Sequence, residues 1–354
     1  MNIGLVIYGS LDTPSGGYLY DRKLVEYLRL QGDTVEIISL PWRSYAAHLM
    51  DNFSFRLPDS RRFDVLIQDE LNHPSLILAN RGEHPYPIIS LVHHLRCSEL
   101  RPDWQNAFYR VVEQKYLKSV DGFIFNSKTT QRVVISLLEK PKPSMIAFPP
   151  TDRFGEPVSE ETIRSRAHTE PFRILFLGNV IYRKGLHTLL ESVKHLHIPV
   201  LVDVVGGLNA GTAYVHQVKK RIEQDRLSSL IFLHGLRDQE YLIETLERAH
   251  VLVVPSSYEG FGIVYLEGMC FGLPAIGTTA GAASEIIEHG QTGYLIAPND
   301  VESLAAYLKS LAEDRELLIR LSLNARQRYR RQPSWKETAG RIRDFLSMMI
   351  RDFS

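Results

Sequence analysis

Cysteine and surplus charge are what this 354-residue sequence has least of. Its two cysteines, Cys97 and Cys270, are too few for a disulfide framework and cannot complete a zinc site alone. We expect both to be small buried side chains. Basic and acidic residues number 41 each, so the formal net charge is zero. Because a general nucleic-acid-binding protein is basic, we expect no nucleic-acid partner.

Long apolar runs are also missing. No stretch approaches the roughly 20 apolar residues that span a bilayer. The N-terminal MNIGLVIYGS lacks the basic leader and the cleavage site of a signal peptide, and its pattern indicates a first strand. These two observations predict a cytoplasmic protein.

A third absence concerns dinucleotides. The loop after the first strand contains Gly16 and Gly17 but not the full G-x-G-x-x-G fingerprint. A nicotinamide-dependent dehydrogenase, one rival interpretation, is therefore disfavoured. The glycine pair itself indicates either a phosphate-binding loop or a simple turn.

What the sequence does contain is two successive series of short apolar runs that alternate with helical patterns. Near-continuous apolar runs such as NIGLVIYG (2–9) are typical of parallel strands covered on both faces. Two such series predict an α/β protein with two Rossmann-like domains, over 1–150 and 171–334. The proline-rich stretch 141–171 between them resembles a linker. The apolar residues of 335–354 recur at helical spacing, and we expect this last helix to pack back on the first domain.

The densest functional pattern is VPSSYEGFGIVYLEG at 254–268. A buried strand runs into a tight loop with Glu259 and Gly260, and a helix is expected to begin at about Gly262. The free N–H groups of that helix's first turn form an anion site. Glu267 lies one turn into the helix, where it can accept hydrogen bonds from vicinal hydroxyls. The alternative is that Glu259 caps the helix and Glu267 is solvated.

A second pattern is ILFLGNVIYRKGLHTLLES at 174–192, where a strand, a glycine loop and a helix follow one another. Arg183 and Lys184 stand just before the helix. Their guanidinium fork and ammonium group both suit phosphate oxygens. The alternative is a solvated basic pair, which is unusual at a helix start because the helix dipole opposes cations there.

These two patterns resemble the E-x7-E motif and the strand–Gly–Arg–Lys–Gly–helix block of the GT-B fold retaining glycosyltransferases of family 4. PSGGY (14–18), SLVHHL (90–95) and FIFNSKTT (123–130) extend the resemblance over nearly the whole chain. The resemblance implies two domains facing each other across a cleft, with the first domain choosing the acceptor and the second binding a nucleotide sugar.

The resemblance also implies roles for residues at matching positions. Glu267 would hold the nucleotide ribose, and Arg183 with Lys184 would clamp the diphosphate. Glu259, with the backbone of Gly260–Gly262, would hold the donor sugar, and His93 would contact that sugar and shape the reacting centre. The full expected donor set is Gly16, Gly17, Arg183, Lys184, Gly206, Leu236, Glu259, Gly260, Phe261, Gly262, Ile263, Val264 and Glu267.

For some of these positions the sequence also allows a different assignment. His93 and His94 both end a strand, and the family's hydrophobic–His–x–Leu pattern selects His93. Glu99 is either a further residue of the same site or an exposed carboxylate. Gly206 and Leu236 follow strands, at positions where the backbone is expected to wall the nucleotide base.

The activity implied is retaining transfer of a sugar from a UDP- or GDP-sugar to a hydroxyl of a glycan, a glycolipid or a small molecule. Glycosyltransferases of the other common fold use a D-x-D triplet to hold a divalent metal on the diphosphate, and no such triplet occurs in this sequence. We therefore expect no metal and no cofactor beyond the nucleotide-sugar co-substrate. The leaving phosphate would take the acceptor proton. The alternatives are a sugar phosphorylase or nucleotide-sugar epimerase of the same fold, or a non-catalytic nucleotide-sugar binding module.

The segment 41–63 combines Trp42, Tyr45, Phe53 and Phe55 with several arginines, including Arg61. Such a segment either covers the first domain or rests on an anionic membrane surface and serves a lipid-linked acceptor. The second alternative would bring the protein to the inner face of the membrane.

Overall fold

The computed structural model describes residues 1–13, 15–57, 62–82, 84–150, 152–209 and 211–353. The chain divides into two units. Unit 1 is Met1–Pro150 with Pro333–Ser354, and unit 2 is Thr151–Gln332. Each unit is a six-stranded sheet with helices between the strands, and every strand pairing is parallel. The α/β class predicted from the sequence is confirmed.

Unit 1 places its first strand inside the sheet, where both faces are covered. The strands are β1 (Asn2–Tyr8), β2 (Thr34–Leu40), β3 (Val65–Asp69), β4 (Ile88–Val92), β5 (Gly122–Phe125) and β6 (Ser144–Ile146), in the order β2-β1-β3-β4-β5-β6. The helices are α1 (Gly16–Leu30), α2 (Tyr45–Asp51), α3 (His73–Leu76), α4 (Asp103–Leu117), α5 (Lys128–Leu137) and α13 (Trp335–Phe353).

Helix α13 closes one face of this sheet. Its residues Ile342, Phe345 and Leu346 lie in one buried cluster with Leu24 and Leu28 of α1 and with side chains of β1 and β3. The other face of the sheet carries a second apolar cluster, built on α4. The apolar spacing in the last helix therefore serves the core of unit 1.

Unit 2 repeats the architecture. Its strands are β7 (Phe172–Leu177), β8 (Val200–Val205), β9 (Ile231–Gly235), β10 (Val251–Val253), β11 (Ala275–Thr278) and β12 (Gly293–Ile296), in the order β12-β11-β10-β7-β8-β9. Its helices are α6 (Glu160–Ala167), α7 (Leu186–Lys194), α8 (Thr212–Gln224), α9 (Gln239–Arg248), α10 (Ile263–Cys270), α11 (Val301–Glu313) and α12 (Arg315–Arg330).

The stretch 141–171 differs from the linker that its composition indicates. It contains strand β6 and helix α6, the latter capped by the Ser159 hydroxyl, which accepts from the Thr162 N–H at 3.0 Å. Ile163 and Ala167 of α6 are buried. The proline and polar residues indicated a linker because these two elements are too short to show a periodic apolar pattern. Such short elements are stabilised by packing on their neighbours.

Both cysteines are buried and free, as expected. Within the described residues, no helix combines the length and hydropathy that crossing a membrane requires.

Candidate functional site

The centre of the unit 2 site is an ion pair between Lys184 and Glu259. The Lys184 Nζ donates to Glu259 Oε1 at 2.5 Å, and the Ser256 hydroxyl donates to the same oxygen at 2.6 Å. Arg183 Nη1 lies 3.9 Å from Glu259 Oε2. Glu259 is only 5% exposed. The two predicted phosphate-binding cations and the predicted sugar-binding carboxylate therefore meet in one buried cluster.

The local backbone explains how Lys184 reaches this position. After β7, a single 3₁₀ turn over Tyr182–Lys184 leads to Gly185, whose φ of 72° is left-handed. A Cβ at Gly185 would lie 2.1 Å from the Pro255 carbonyl oxygen. Glycine is needed here for both reasons. The close approach brings the turn against the loop that carries Glu259.

Arg183 holds the same loop through its backbone. Its Nη1 donates to the Tyr258 carbonyl at 2.6 Å, and the Ser257 N–H donates to the Arg183 carbonyl at 2.7 Å. On the other side, the Ala282 N–H donates to the Glu259 carbonyl at 2.8 Å. The loop is thus fixed on both sides, and the Glu259 carboxylate has little freedom to move.

Electrostatics keep Glu259 ionised. Burial alone would raise its pKa, but Lys184 and then Arg183 lower it to about 2. Burial lowers the pKa of Lys184, while Glu259 opposes that change. The three side chains together carry one net positive charge, and an incoming anion would compete with Glu259 for Lys184.

Helix α10 begins beside this cluster. Gly262, with a left-handed φ of 93°, is its N-terminal cap and has no side chain that could bond the first N–H groups of the helix. Ile263 and Val264 form the first turn, and both are partly accessible. Glu259 lies in the preceding loop with Gly260 and Phe261 and does not cap the helix. The first N–H groups of a helix have the chemistry of an anion site, and the expected binding of a phosphate here stays a prediction.

Glu267, one turn further along α10, is buried rather than solvated. The Arg153 Nη1 donates to Glu267 Oε1 at 2.6 Å. Burial raises the pKa of Glu267, and Arg153 opposes that rise. Arg153 is a residue that sequence reasoning missed. It lies in the stretch interpreted as a linker, and no local pattern distinguishes it.

Gly206 and Leu236 follow β8 and β9, on the same edge of the sheet as the turn after β7. A Cβ at Gly206 would lie 2.1 Å from the Gly178 carbonyl oxygen, so the loops after β7 and β8 approach each other closely. Leu236 is exposed. Parallel sheets bind ligands at this edge, and the expected contact with a nucleotide base stays a prediction.

In unit 1 the structure brings Gly17 and His93 together. Gly16 and Gly17 open α1, after the cap residue Ser15. A Cβ at Gly17 would lie 3.3 Å from His93 Cδ2, so the glycine leaves room for the imidazole ring. The His93 Nε2 lies 3.1 Å from Oδ1 of Asp21, a fully buried residue of α1. Asp21 was missed, although it interrupts the apolar face that Tyr18, Leu24 and Val25 define.

His94 belongs to a different network. Its Nε2 lies 3.0 Å from Glu99 Oε1, and Arg101 donates to the other oxygen of Glu99 at 2.5 Å. Glu99 is therefore engaged with His94 and Arg101. The adjacent histidines have separate carboxylate partners, and His93 lies against Gly17 of the glycine loop.

The part of unit 1 that the structure describes contains two buried groups of histidine and carboxylates with polar atoms within 4.8 Å of one another; they are Asp21, Asp69 and His93, and Glu70, His73 and Glu113. In each group the histidine is already hydrogen-bonded, His93 to Asp21 and His73 to Tyr45 and the Glu70 carbonyl. We treat both as hydrogen-bonded networks rather than metal sites. Among the described residues of unit 2, no such group occurs.

Comparisons with known proteins show that the chain resembles glycosyltransferases. A family model described as glycosyl transferases group 1 matches residues 158–328. A glycogen synthase of Mycobacterium tuberculosis is 31% identical over 177 residues, 49% of this chain and 42% of that protein. The D-rhamnosyltransferase WbpZ of Pseudomonas aeruginosa is 27% identical over 263 residues, 70% of this chain and 67% of that protein. The chain thus spans less than half the length of the glycogen synthase it matches.

Solved structures share the fold. A sucrose-phosphate synthase from Thermosynechococcus elongatus superposes with a TM-score of 0.85 at 18% identity, covering 99% of both chains. Anabaena Alr3699/HepE, in complex with UDP and glucose, superposes with a TM-score of 0.75 at 18% identity, covering 98% of this chain and 99% of that one. The expected GT-B fold is confirmed.

Proposed function

We propose, from the match of residues 158–328 to glycosyl transferases group 1, that the protein is a glycosyltransferase. It moves a sugar from a UDP- or GDP-sugar to a hydroxyl of a glycan, a glycolipid or a small molecule, with retention and without a metal. The observation that carries the proposal is the cluster of Lys184, Arg183 and Glu259 beside the open N-terminus of α10.

In this proposal the bound diphosphate replaces the Glu259 carboxylate as the ion-pair partner of the Lys184 ammonium. The ammonium and the Arg183 guanidinium neutralise the phosphates, and the first N–H groups of α10 supply further hydrogen bonds. Positive charge fixed before the reaction stabilises the leaving diphosphate as negative charge develops on it. These groups would take the part that a metal ion takes in other sugar transferases.

Glu259, once it loses Lys184 to the phosphates, keeps the Ser256 hydroxyl and accepts hydrogen bonds from donor-sugar hydroxyls. Glu267 accepts from the ribose hydroxyls, and Arg153 opposes the rise in the pKa of Glu267 that burial causes. The acceptor hydroxyl attacks the anomeric carbon on the face that the diphosphate leaves. The new glycosidic bond forms as the sugar–phosphate bond breaks, and the leaving phosphate oxygen takes the proton.

The relatives suggest which donors to test first. The Anabaena protein is in complex with UDP and glucose, and the named relatives include a rhamnosyltransferase and a mannosyltransferase. UDP-glucose and GDP-mannose are therefore the first candidates. The donor sugar and the acceptor stay open in the proposal.

The test is a donor and acceptor screen with EDTA present, read by nucleoside diphosphate release and by the anomeric configuration of the product. Acceptor-dependent release with the α configuration kept supports the proposal, and Lys184→Ala and Glu259→Ala should each lose most of it. Phosphate-dependent release would indicate a phosphorylase, and interconversion of the donor an epimerase. Binding without turnover would indicate a non-catalytic module. A product of inverted configuration, or turnover only with a divalent metal, would contradict the mechanism.

We also propose that unit 1 contacts an anionic membrane surface. In the segment 41–63, Trp42, Met50 and Phe53 are exposed, while residues 58–61 lie outside the described part of the chain. On α4, the large apolar residues Trp104 and Phe108 are 72% and 48% exposed. They lie one turn apart on the solvent face, a pattern typical of interfacial helices.

A vesicle flotation assay tests this membrane contact. Anionic vesicles should retain the protein, neutral phosphatidylcholine vesicles should not, and Trp104→Ser with Phe108→Ser should abolish retention. Leu30→Ser, at a residue 82% exposed on another helix, is the matched control. Absence of binding to anionic vesicles, or equal binding by all variants, would overturn the proposal.

A further inference from the structure

Two buried carboxylates next to His93, those of Asp21 and Asp69, have no role in the transfer step proposed above. Asp21 of α1 and Asp69, the last residue of β3, are both fully buried. The His93 Nε2 lies 3.1 Å from Asp21 Oδ1, and polar atoms of all three side chains lie within 4.8 Å of one another. Three elements of unit 1 thus converge on one imidazole ring.

These carboxylates are poorly satisfied except by the histidine. Oδ2 of Asp21 and Oδ2 of Asp69 are buried and have no hydrogen-bond partner among the described residues. The other oxygen of Asp69 accepts from the Leu71 N–H at 2.9 Å. A buried carboxylate without partners is costly, so this arrangement requires a nearby cation or a proton.

The histidine is held in one orientation. Its ring meets the edge of Tyr20 at 5.5 Å between centroids and lies against Gly17. Its carbonyl accepts from Asn126 Nδ2 at 2.8 Å. The side chain of His93 is 12% exposed and its Nε2 is engaged by Asp21, so Nδ1 is the ring nitrogen that has no hydrogen bond to any described residue.

The charges that face this ring are mainly negative. Asp21 faces it from α1, and Asp69 and Glu70 face it from the end of β3, while the neighbouring His94 is paired with Glu99. Asn126 and Thr130, which bond the His93 carbonyl, are neutral. Burial alone would lower the pKa of His93, but Asp21, then Asp69 and Glu70, raise it to about 9. Burial and Asp21 raise the pKa of Asp69 well above its usual range.

We infer that Asp21 is a positioning residue that holds His93 as an imidazolium, so that Nδ1–H donates a hydrogen bond to a bound ligand oxygen instead of acting as a base. A neutral imidazole that donates Nε2–H to Asp21 would present a lone pair at Nδ1. The protonated ring presents an N–H in the same place. The inference rests on the proposed function for the identity of the ligand, a nucleotide sugar, but the charge state itself does not.

The experiment is an NMR titration of histidine-labelled protein, with the His93 signals assigned by their loss in His93→Gln. We expect His93 to titrate above pH 8 in the wild type and below pH 7 in Asp21→Asn. Asp33→Asn is the matched control. Asp33 is a buried carboxylate of the same unit, but it precedes β2 and pairs with the N-terminus and Arg343. Its substitution should leave the His93 titration unchanged.

Transfer rates give a second readout. At pH 8.5 relative to pH 6.5, Asp21→Asn should lose more than tenfold in kcat compared with the wild type, because its imidazole is neutral at the higher pH. Lost packing would instead lower the rate equally at both pH values. The pH profile therefore separates a charge effect from a structural one.

A wild-type His93 that titrates with the ordinary histidine pKa of about 6.5 would overturn the inference. So would an Asp21→Asn variant whose His93 still titrates above pH 8. If Asp21→Asn does not fold, the wild-type titration with His93→Gln as reference decides alone. If His93 titrates near pH 9 but the protein turns over no donor, the inferred charge state of His93 is supported and the proposed function is wrong. Failure of the inference and failure of the proposed function are therefore distinguishable.

Discussion

Replacing Lys184 with methionine is the most informative single change at the unit 2 site. The substitution removes the ammonium and leaves Glu259 buried without its 2.5 Å partner. Removing one member of a buried pair costs about 3–5 kcal/mol. Arg183 at 3.9 Å and the Ser256 hydroxyl at 2.6 Å remain, so we expect the lower end, a loss of about 3 kcal/mol in unfolding free energy.

The double variant Lys184→Met with Glu259→Gln isolates the interaction. Because it leaves no carboxylate buried without its ammonium partner, its loss should be about 1–2 kcal/mol, well below the sum of the losses of Lys184→Met and Glu259→Gln. Lys194→Met is the control. Lys194 pairs with Glu191 at the surface of the same unit, and such pairs contribute about 0–1 kcal/mol.

Urea unfolding followed by far-UV circular dichroism is the assay. All three tryptophans, Trp42, Trp104 and Trp335, lie in unit 1, so their fluorescence reports that unit alone. A Lys184→Met variant within about 0.5 kcal/mol of the wild type would refute the reasoning. Losses that simply add in the double variant would do so as well, because they would mean that the two side chains are not coupled.

Three further predictions concern the same unit. Arg153→Ala should raise the pKa of Glu267 further, so nucleotide affinity measured by calorimetry should weaken as pH falls from 8 to 6, more than in the wild type. Gly185→Ala should cost at least about 2 kcal/mol of unfolding free energy in urea, because it adds a steric clash to left-handed strain of about 1–2 kcal/mol. Gly290→Ala, at a left-handed glycine of the same unit with open space around its Cβ, should cost only that strain. The pKa of Glu259 is lowered from 4.5 to about 2, so ionised Glu259 stabilises the folded state above pH 4.5, and this contribution is lost as the pH falls toward 2. In Glu259→Gln the free energy of unfolding should therefore depend less on pH between 4.5 and 2 than in the wild type.

Much of the fold follows from periodicity alone. The apolar run at 2–9, predicted to be the first strand, is β1 (Asn2–Tyr8). The missed strands β6 and β12 are three and four residues long. A segment that short carries no measurable alternation, and its pairing comes from neighbours that are remote in sequence.

The site was predicted as a set of residues but not as a network. The motif spacing indicated Lys184, Glu259 and Glu267. That Lys184 is paired with Glu259, and Glu267 with Arg153, depends on contacts across 75 and 114 residues. Such pairs leave no local pattern. Asp21 is different, because a carboxylate on the apolar face of α1 is a visible signal of a buried partner.

The central claim is that unit 2 binds a nucleoside diphosphate through Lys184 without a metal. A thermal-shift panel of UDP, GDP and their sugars, with EDTA present, on the wild type and on Lys184→Met tests this claim most directly. We predict that one nucleotide family stabilises the wild type and that the variant loses this response by at least tenfold in apparent affinity. No stabilisation by any nucleotide, stabilisation only after a divalent metal is added, or an equal response of the variant would contradict the claim.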